Sequence, residues 1–220
     1  MYKTMKLYIA PYLFFLLAQC LYGADDHQSW TKVSLERKIP FSLKLELVQG
    51  LRLKDYASTF NQAFFELSLS YKDSNGLRIN IPCRYTIFEG KLKHRLSLGA
   101  SYQYSLKPAS LKYRIKYYRS HENGEPLGDG GVTLGDLIRS KLIIVYKLRK
   151  KIEPYCSGEL FHKFNKSNNE LDEYRVSFGL AVDLPRKSSI KIFYIFKKED
   201  LTKTNPDKIN VFGLSYTFKL

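Results

Sequence analysis

Hydrophobic and polar residues alternate with a period of two along almost the whole chain after Trp30. That period belongs to strands with one apolar and one polar face. In residues 41–53, Phe41, Leu43, Leu45, Leu47, Leu51 and Leu53 share one face, and Ser42, Lys44, Glu46 and Arg52 the other. Residues 77–87 set Leu77, Ile79, Ile81, Cys83, Tyr85 and Ile87 against Arg78, Asn80, Arg84 and Thr86. Residues 92–105 set Leu96, Leu98, Ala100, Tyr102 and Tyr104 against Lys93, Arg95, Ser97, Ser101 and Gln103. Further segments repeat the pattern and predict strands at 30–37, 41–53, 62–72, 77–88, 92–105, 110–119, 138–149, 154–163, 172–184, 189–198 and 208–220. Two of them are noisy. Around 190–196, Phe193 and Ile195 lie opposite the other apolar residues, and in 154–163 Glu159 shares a face with Tyr155 and Phe161.

A soluble β-sandwich and a transmembrane barrel both alternate in this way. Strand length separates them: soluble strands run about 5–6 residues, whereas membrane-crossing strands need roughly 9–11. Most of these runs are longer than a soluble strand, and their polar faces carry too much charge for half of a sandwich core. The fold expected is an all-β, antiparallel, up-and-down transmembrane barrel, apolar outside and polar inside. Tyr71, Tyr102, Tyr104, Tyr117 and Tyr155 fall near strand ends, as the aromatic girdles of such barrels do.

The connections alternate between short and long. Short ones lie at 38–40, 73–76 (with the turn signal Asn75-Gly76), 107–109, 150–153 and 185–188. Longer ones lie at 55–62, 120–136, 165–171 and 199–208, with 89–91 intermediate. Barrels of this kind have short periplasmic turns and longer external loops, which puts the C-terminus in the periplasm. Counting back gives ten spanning strands, beginning with 41–53. Segment 30–37 is left over, to lie in the periplasm, tuck into the lumen or pair at the seam. Twelve strands would need one more before Trp30, where few residues remain.

The N-terminus changes the picture from a barrel to an exported barrel. Lys3 and Lys6 precede the apolar run LYIAPYLFFLLAQCLYG, and Ala24 precedes Asp25-Asp26. This is the layout of a secretory signal peptide, assigned to residues 1–24, with the barrel domain at 25–220. Pro11 and the short apolar run argue against an uncleaved anchor helix. Leu17-Ala18-Gln19-Cys20 only partly matches a lipoprotein box, because Gln19 stands where a small residue is expected. The chain of 220 residues has 36 Lys and Arg against 21 Asp and Glu, a net charge of +15; without the signal it is +13. Cys83 and Cys156 sit in apolar-patterned segments and are read as two separate thiols rather than a disulfide.

Gly213, Tyr216, Phe218 and the final Leu220 resemble the terminal strand by which outer-membrane barrels are recognised for insertion, with Leu where an aromatic residue is usual. Other residues carry a family resemblance. Trp30-Thr31-Lys32-Val33-Ser34-Leu35-Glu36-Arg37-Lys38-Ile39 leads to a strand ending in Arg52. Arg139-Ser140-Lys141-Leu142 leads through Lys150-Lys151 to Pro154-Tyr155 and Glu159, and Arg175 is followed by Gly179. Together these resemble the domain-of-unknown-function family 2490 across nearly all of the mature chain. The resemblance implies an exported β-barrel from a Gram-negative bacterium, with outer-membrane lipid and the barrel-assembly machinery as its surroundings. It implies no activity.

By parity the inward face is strongly basic. It holds Lys44, Arg52, Arg78, Arg84, Lys93, Arg95, Lys112, Arg114, Lys116, Arg139, Lys141, Lys147, Arg175 and Lys191, against the acids Glu46, Glu66, Glu159 and Asp183. Hydrated Arg–Glu pairs that hold a narrow barrel's shape are one role for such a face. An anion-favouring passage is another, although eight strands leave an interior filled by side chains and ten lie near that end. Net charge alone would admit nucleic acid, but no recognition motif accompanies it and export argues against it.

A rim-sited hydrolase acting on lipid or peptide, and an adhesion or scaffold role for the loops, are the alternatives. The chain's histidines are His27, preceding the barrel; His94, outward near an interface; His121, in the longest loop with Glu122 and Asp129; and His162, near an external strand end. Their spacing forms no catalytic set and no metal-ligand set. Gly128-Asp129-Gly130-Gly131 lacks the strand, helix and Lys of a phosphate loop. No cofactor is expected.

Overall fold

A computed structural model describes residues 24–88, 90–123, 132–148, 151–164 and 169–220. The segment expected to be a signal peptide (apart from Ala24), Cys20 and the Gly128–Gly131 stretch lie outside the described residues. Eleven strands close into one barrel: β1 (Asp26–Ile39), β2 (Leu43–Lys54), β3 (Thr59–Lys72), β4 (Leu77–Phe88), β5 (Lys91–Leu106), β6 (Ala109–Asn123), β7 (Val132–Tyr146), β8 (Ile152–Phe164), β9 (Asn169–Leu184), β10 (Ser188–Glu199) and β11 (Asp207–Lys219). Each strand pairs antiparallel with the next, and β1 closes the barrel against β11.

The strand count corrects the expectation of ten. The leftover segment is β1, a full member of the wall, paired antiparallel with β2 and parallel with β11 from Asp26↔Ile209 to Glu36↔Lys219. An even count follows only if the closing pair is antiparallel, and here one parallel seam admits an odd number. His27 therefore does not precede the barrel: it lies in β1 opposite Asn210, with its ring 5.2 Å from that of Tyr56. The seam is fastened at both ends. Asp25 N–H donates to the Lys208 carbonyl at 2.7 Å, and Leu220 N–H donates to the Glu36 carbonyl at 2.8 Å.

The connections are also shorter than the sequence pattern implied, because the strands run on. The 55–62 loop contracts to a turn at 55–58, where Asp55, Tyr56 and Ala57 all have positive φ. At the opposite rim, Phe41–Ser42 and Arg186–Lys187 have both turn residues near φ 60°, as two-residue hairpins of the right twist require. Gly76, at φ 92°, closes the Asn75-Gly76 turn, where a side chain would be strained. In the turn at 200–206, Lys203 pairs with Asp200 and Asp207. The hydrogen bond to the Asp200 carboxylate holds the Lys203 ammonium pKa above its usual range.

The wall is inverted relative to a soluble protein. Among the described residues thirty-seven large hydrophobic side chains are exposed and eight are buried. Leu96, at 61% exposed, and Ile192, at 60%, are among the most exposed of the outer face. Leaving such a side chain in water costs about 1.5–3 kcal/mol, so dozens of them on one surface require lipid rather than water around the barrel. A strand of about 12 residues at ~3.3 Å per residue, tilted by ~40°, spans roughly 30 Å, the thickness of a bilayer's apolar core. Tyr71, Tyr102, Tyr104 and Tyr146 are exposed near the short-turn rim. Tyr155 departs from the girdle expected of it: it lines the interior and covers Gly179. Cys83 and Cys156 are free thiols.

Candidate functional site

The lumen is built from the inward residues of every strand. Its cavity of about 950 Å³ is walled by Arg84, Arg95, Arg114, Arg139, Lys141, Arg175, Glu46, Glu66 and Glu159, as parity places them. Arg52, Lys93, Lys112, Lys116, Lys147 and Lys191 join them. Arg78 shares the inward parity of β4 but lies one residue from the strand's start, near the short-turn rim and off the cavity wall. Lys44 is held between Glu36 at 2.8 Å and Glu46 at 3.0 Å. Asp183 is exposed near the same rim as Arg78 and is not part of the cavity wall.

Besides the Lys44 cluster, ionic contacts join β3 to β4 and β7 to β8, and another lies within β9. Arg84 donates to Glu66 from Nε at 2.7 Å and contacts the same carboxylate through Nη2 at 2.6 Å. Glu159, 4% exposed, bridges Arg139 and Lys141 with its two oxygens. Arg175 makes a two-pronged contact with Glu173, the fork geometry that gives guanidinium–carboxylate pairs their strength.

Aromatic side chains link these clusters. The Arg84 guanidinium lies 4.0 Å from the centre of the Phe64 ring, and Arg52 lies 5.6 Å from Phe64 and 3.8 Å from Trp30. Arg175 sits 5.3 Å from Trp30 and 4.5 Å from Phe161, and Arg139 is 5.1 Å from Phe161. The result is one alternating run, Glu66–Arg84–Phe64–Arg52–Trp30–Arg175–Phe161–Arg139–Glu159, through seven strands. Arg95 over Tyr118 at 4.9 Å adds a separate stack. Ring faces attract cations, most strongly where water is excluded, so positive charge is held here by π-electrons as well as by carboxylates. Opposite Arg52 and Phe161 the register shifts, with Asn61 the extra residue in β3 and Asp172 in β9, and bulges re-aim the side chains beside them.

Inward glycines make room for this packing. Phe64, Tyr155 and Phe193 lie over their cross-strand partners Gly50, Gly179 and Gly213, and a Cβ at any of the three would collide with the ring. Gly213 thus acquires a seat-like role that its place in the terminal-strand pattern did not reveal. Tyr216 and Leu220 of that pattern are exposed on the outer face, and Phe218 shares their parity, half-buried. Trp30, Ile195, Ile209 and Val211 form an apolar cluster inside the seam, with Phe193 against it. The Trp30 indole N–H donates to Gln28 Oε1 at 3.1 Å.

The aromatic half of the lumen was missed in the sequence, as were Lys32, Glu173 and Lys197. Parity alone would have found them, because Trp30 shares a face with Lys32, Ser34 and Glu36, and Phe64 shares one with Glu66 and Ser68. Reading every large apolar residue as outward hid them. Of the histidines, His94 packs its ring edge-on to Tyr85 at 4.6 Å and pairs across strands with His121, while His162 is exposed. Among the described residues no group of three or more His, Cys, Asp and Glu could hold a metal ion.

Several solved structures share features of this architecture. One is described as a bacterial polysaccharide outer membrane secretin: 9% identity, 78% of this chain and 73% of that chain covered, TM-score 0.49. Another is the β domain of the Bordetella autotransporter BrkA: 12% identity, 70% and 75% covered, TM-score 0.43. A third is an anion-selective porin from Comamonas acidovorans: 13% identity, 82% of this chain and 55% of that chain covered, TM-score 0.40. Comparison with curated proteins gives no match. The model of the family described as "Protein of unknown function (DUF2490)" matches residues 27–208. With its eleven-stranded wall, apolar exterior and ionic lumen, the chain is a closed β-barrel that belongs to the DUF2490 family.

Proposed function

We propose that the barrel provides a narrow, anion-favouring passage across the outer membrane, its shape held by the ion pairs and cation–π stacks of the lumen. One observation carries the reading: fourteen basic side chains against eight acidic ones wall the central cavity. A narrow water-filled space between low-dielectric walls focuses the field of such an excess, and rings of Arg and Lys favour anions. Residues 1–24 direct export, and the terminal strand through Gly213, Tyr216, Phe218 and Leu220 hands the chain to the barrel-assembly machinery. Outer-membrane lipid then covers the outer face.

Planar-bilayer recording of the purified barrel under a KCl gradient tests this. The expected result is a steady current whose reversal potential reports chloride over potassium. Replacing Arg84, Arg95 and Arg114 with Gln should move that potential toward the unselective value. A silent bilayer containing demonstrably inserted barrel, or a cation-selective current, contradicts the reading.

A further inference from the structure

Four cations stand as a square on the inner face of β6 and β7. Arg114 faces Lys141 directly across the strands, and Lys116 faces Arg139 one step along the same face. Directly opposed like charges destabilise a sheet, and here two such pairs are adjacent. Glu159 contacts only the β7 pair, Arg139 and Lys141, and Glu66, which acts on Arg114 and Lys116 through space, is itself engaged by Arg84. Among the described residues Arg114 and Lys116 form no ion pair with a carboxylate. The Nε–H groups of Arg114 and Arg139 are buried without a hydrogen-bond acceptor, and an unused buried donor is costly. On the opposite wall, Lys32 of β1 faces the same cavity. All five cations line the central cavity.

We propose that this square is a binding site for a free multivalent oxyanion of the phosphate or sulfate class. A dianion offsets the excess positive charge, and its tetrahedral oxygens accept from several guanidinium and ammonium donors at once. Arg114 and Lys116 lie at the middle of β6, about half the wall's height from either rim, so a headgroup anchored at the membrane surface does not reach them. The site rests on the reading of the lumen as a water-accessible, basic space, and it adds residence to passage.

The test uses the full barrel in detergent micelles, with inorganic phosphate as the probe and chloride as the control at matched ionic strength. Phosphate should raise the unfolding temperature saturably and above the chloride value. The 31P resonance of phosphate should broaden in the barrel's presence, and sulfate should reverse that broadening. In an Arg114→Gln, Lys116→Gln barrel, phosphate affinity should fall about tenfold or more. Equal stabilisation by phosphate and chloride, or unchanged phosphate binding by the double variant, overturns the proposal. If the double variant fails to fold, the phosphate resonance with wild-type protein still decides: no broadening refutes the site. Phosphate-specific binding without chloride conductance keeps the site and removes the passage. Selective chloride current indifferent to phosphate keeps the passage and removes the site.

Discussion

Glu159→Gln is the substitution through which the lumen's charge balance is most directly measured. The Glu159 side chain is 3% exposed, and its partners Arg139 and Lys141 are 24% and 15% exposed. Gln has the same volume, so no cavity term enters. What changes is the loss of one negative charge that two cations share. Breaking a buried pair by removing one partner costs about 3–5 kcal/mol. The partial exposure of the two cations softens that penalty, which places the expected loss at the lower end, about 3 kcal/mol. The other nearby carboxylates give no relief, since Glu66 is engaged by Arg84 and Glu173 by Arg175. Urea unfolding of the barrel in lipid vesicles measures the change. Trp30 is the chain's one tryptophan and lies in the lumen, so its emission reports loss of the interior. Glu153→Gln is the control: Glu153 lines the same cavity but is in no ion pair among the described residues, and its replacement should cost less than ~0.5 kcal/mol. Adding Lys141→Met to Glu159→Gln should restore part of the loss, because one stranded cation is removed. A Glu159→Gln barrel within about 1 kcal/mol of wild type would mean that Glu159 is not a buried counter-charge, because such a value belongs to an exposed pair.

Three further outcomes follow from the same geometry. Gly213→Ala places a Cβ inside the Phe193 ring, so urea unfolding should show a loss of about 1–3 kcal/mol, and Phe193→Leu in the same chain should recover part of it. Leu98→Arg puts a charge on the outer face at mid-strand in β5; if that face meets lipid, vesicle unfolding should report a loss of roughly 2–4 kcal/mol. Arg52→Met removes the cation 3.8 Å from the Trp30 ring; the Trp30 emission should shift and stability should fall by about 1 kcal/mol.

The elements and the inversion were legible in the alternation because most strands keep their apolar and polar residues strictly apart. β5 reads unambiguously, since Leu96, Leu98 and Ala100 never share a face with Arg95, Ser97 or Ser101. Legibility failed wherever an aromatic residue faces the lumen. In β8, Tyr155 and Phe161 point inward with Glu159, because one covers Gly179 and the other receives Arg139 and Arg175. In β10, Phe193 and Ile195 break the pattern because they pack on Trp30 and Val211 inside the seam. The strand number escaped for a different reason. A parallel closing pair joins residues nearly the whole chain apart, and nothing in the local pattern of 26–39 marks its partner. The candidate basic residues were found by parity, but their division into paired and unpaired depends on cross-strand register, as with Arg114 opposite Lys141.

In this barrel apolar side chains face lipid while ionic ones face an enclosed interior. Spin labels placed singly at residues 96, 97, 98, 100 and 101 of β5, in a chain with Cys83→Ser and Cys156→Ser and reconstituted in bilayers, test it most directly through their accessibility to oxygen and to a water-soluble nickel chelate. Strict alternation is expected, with 96, 98 and 100 open to oxygen and 97 and 101 shielded from it. Nickel-accessible labels at 96 and 98, with no period of two, would contradict it.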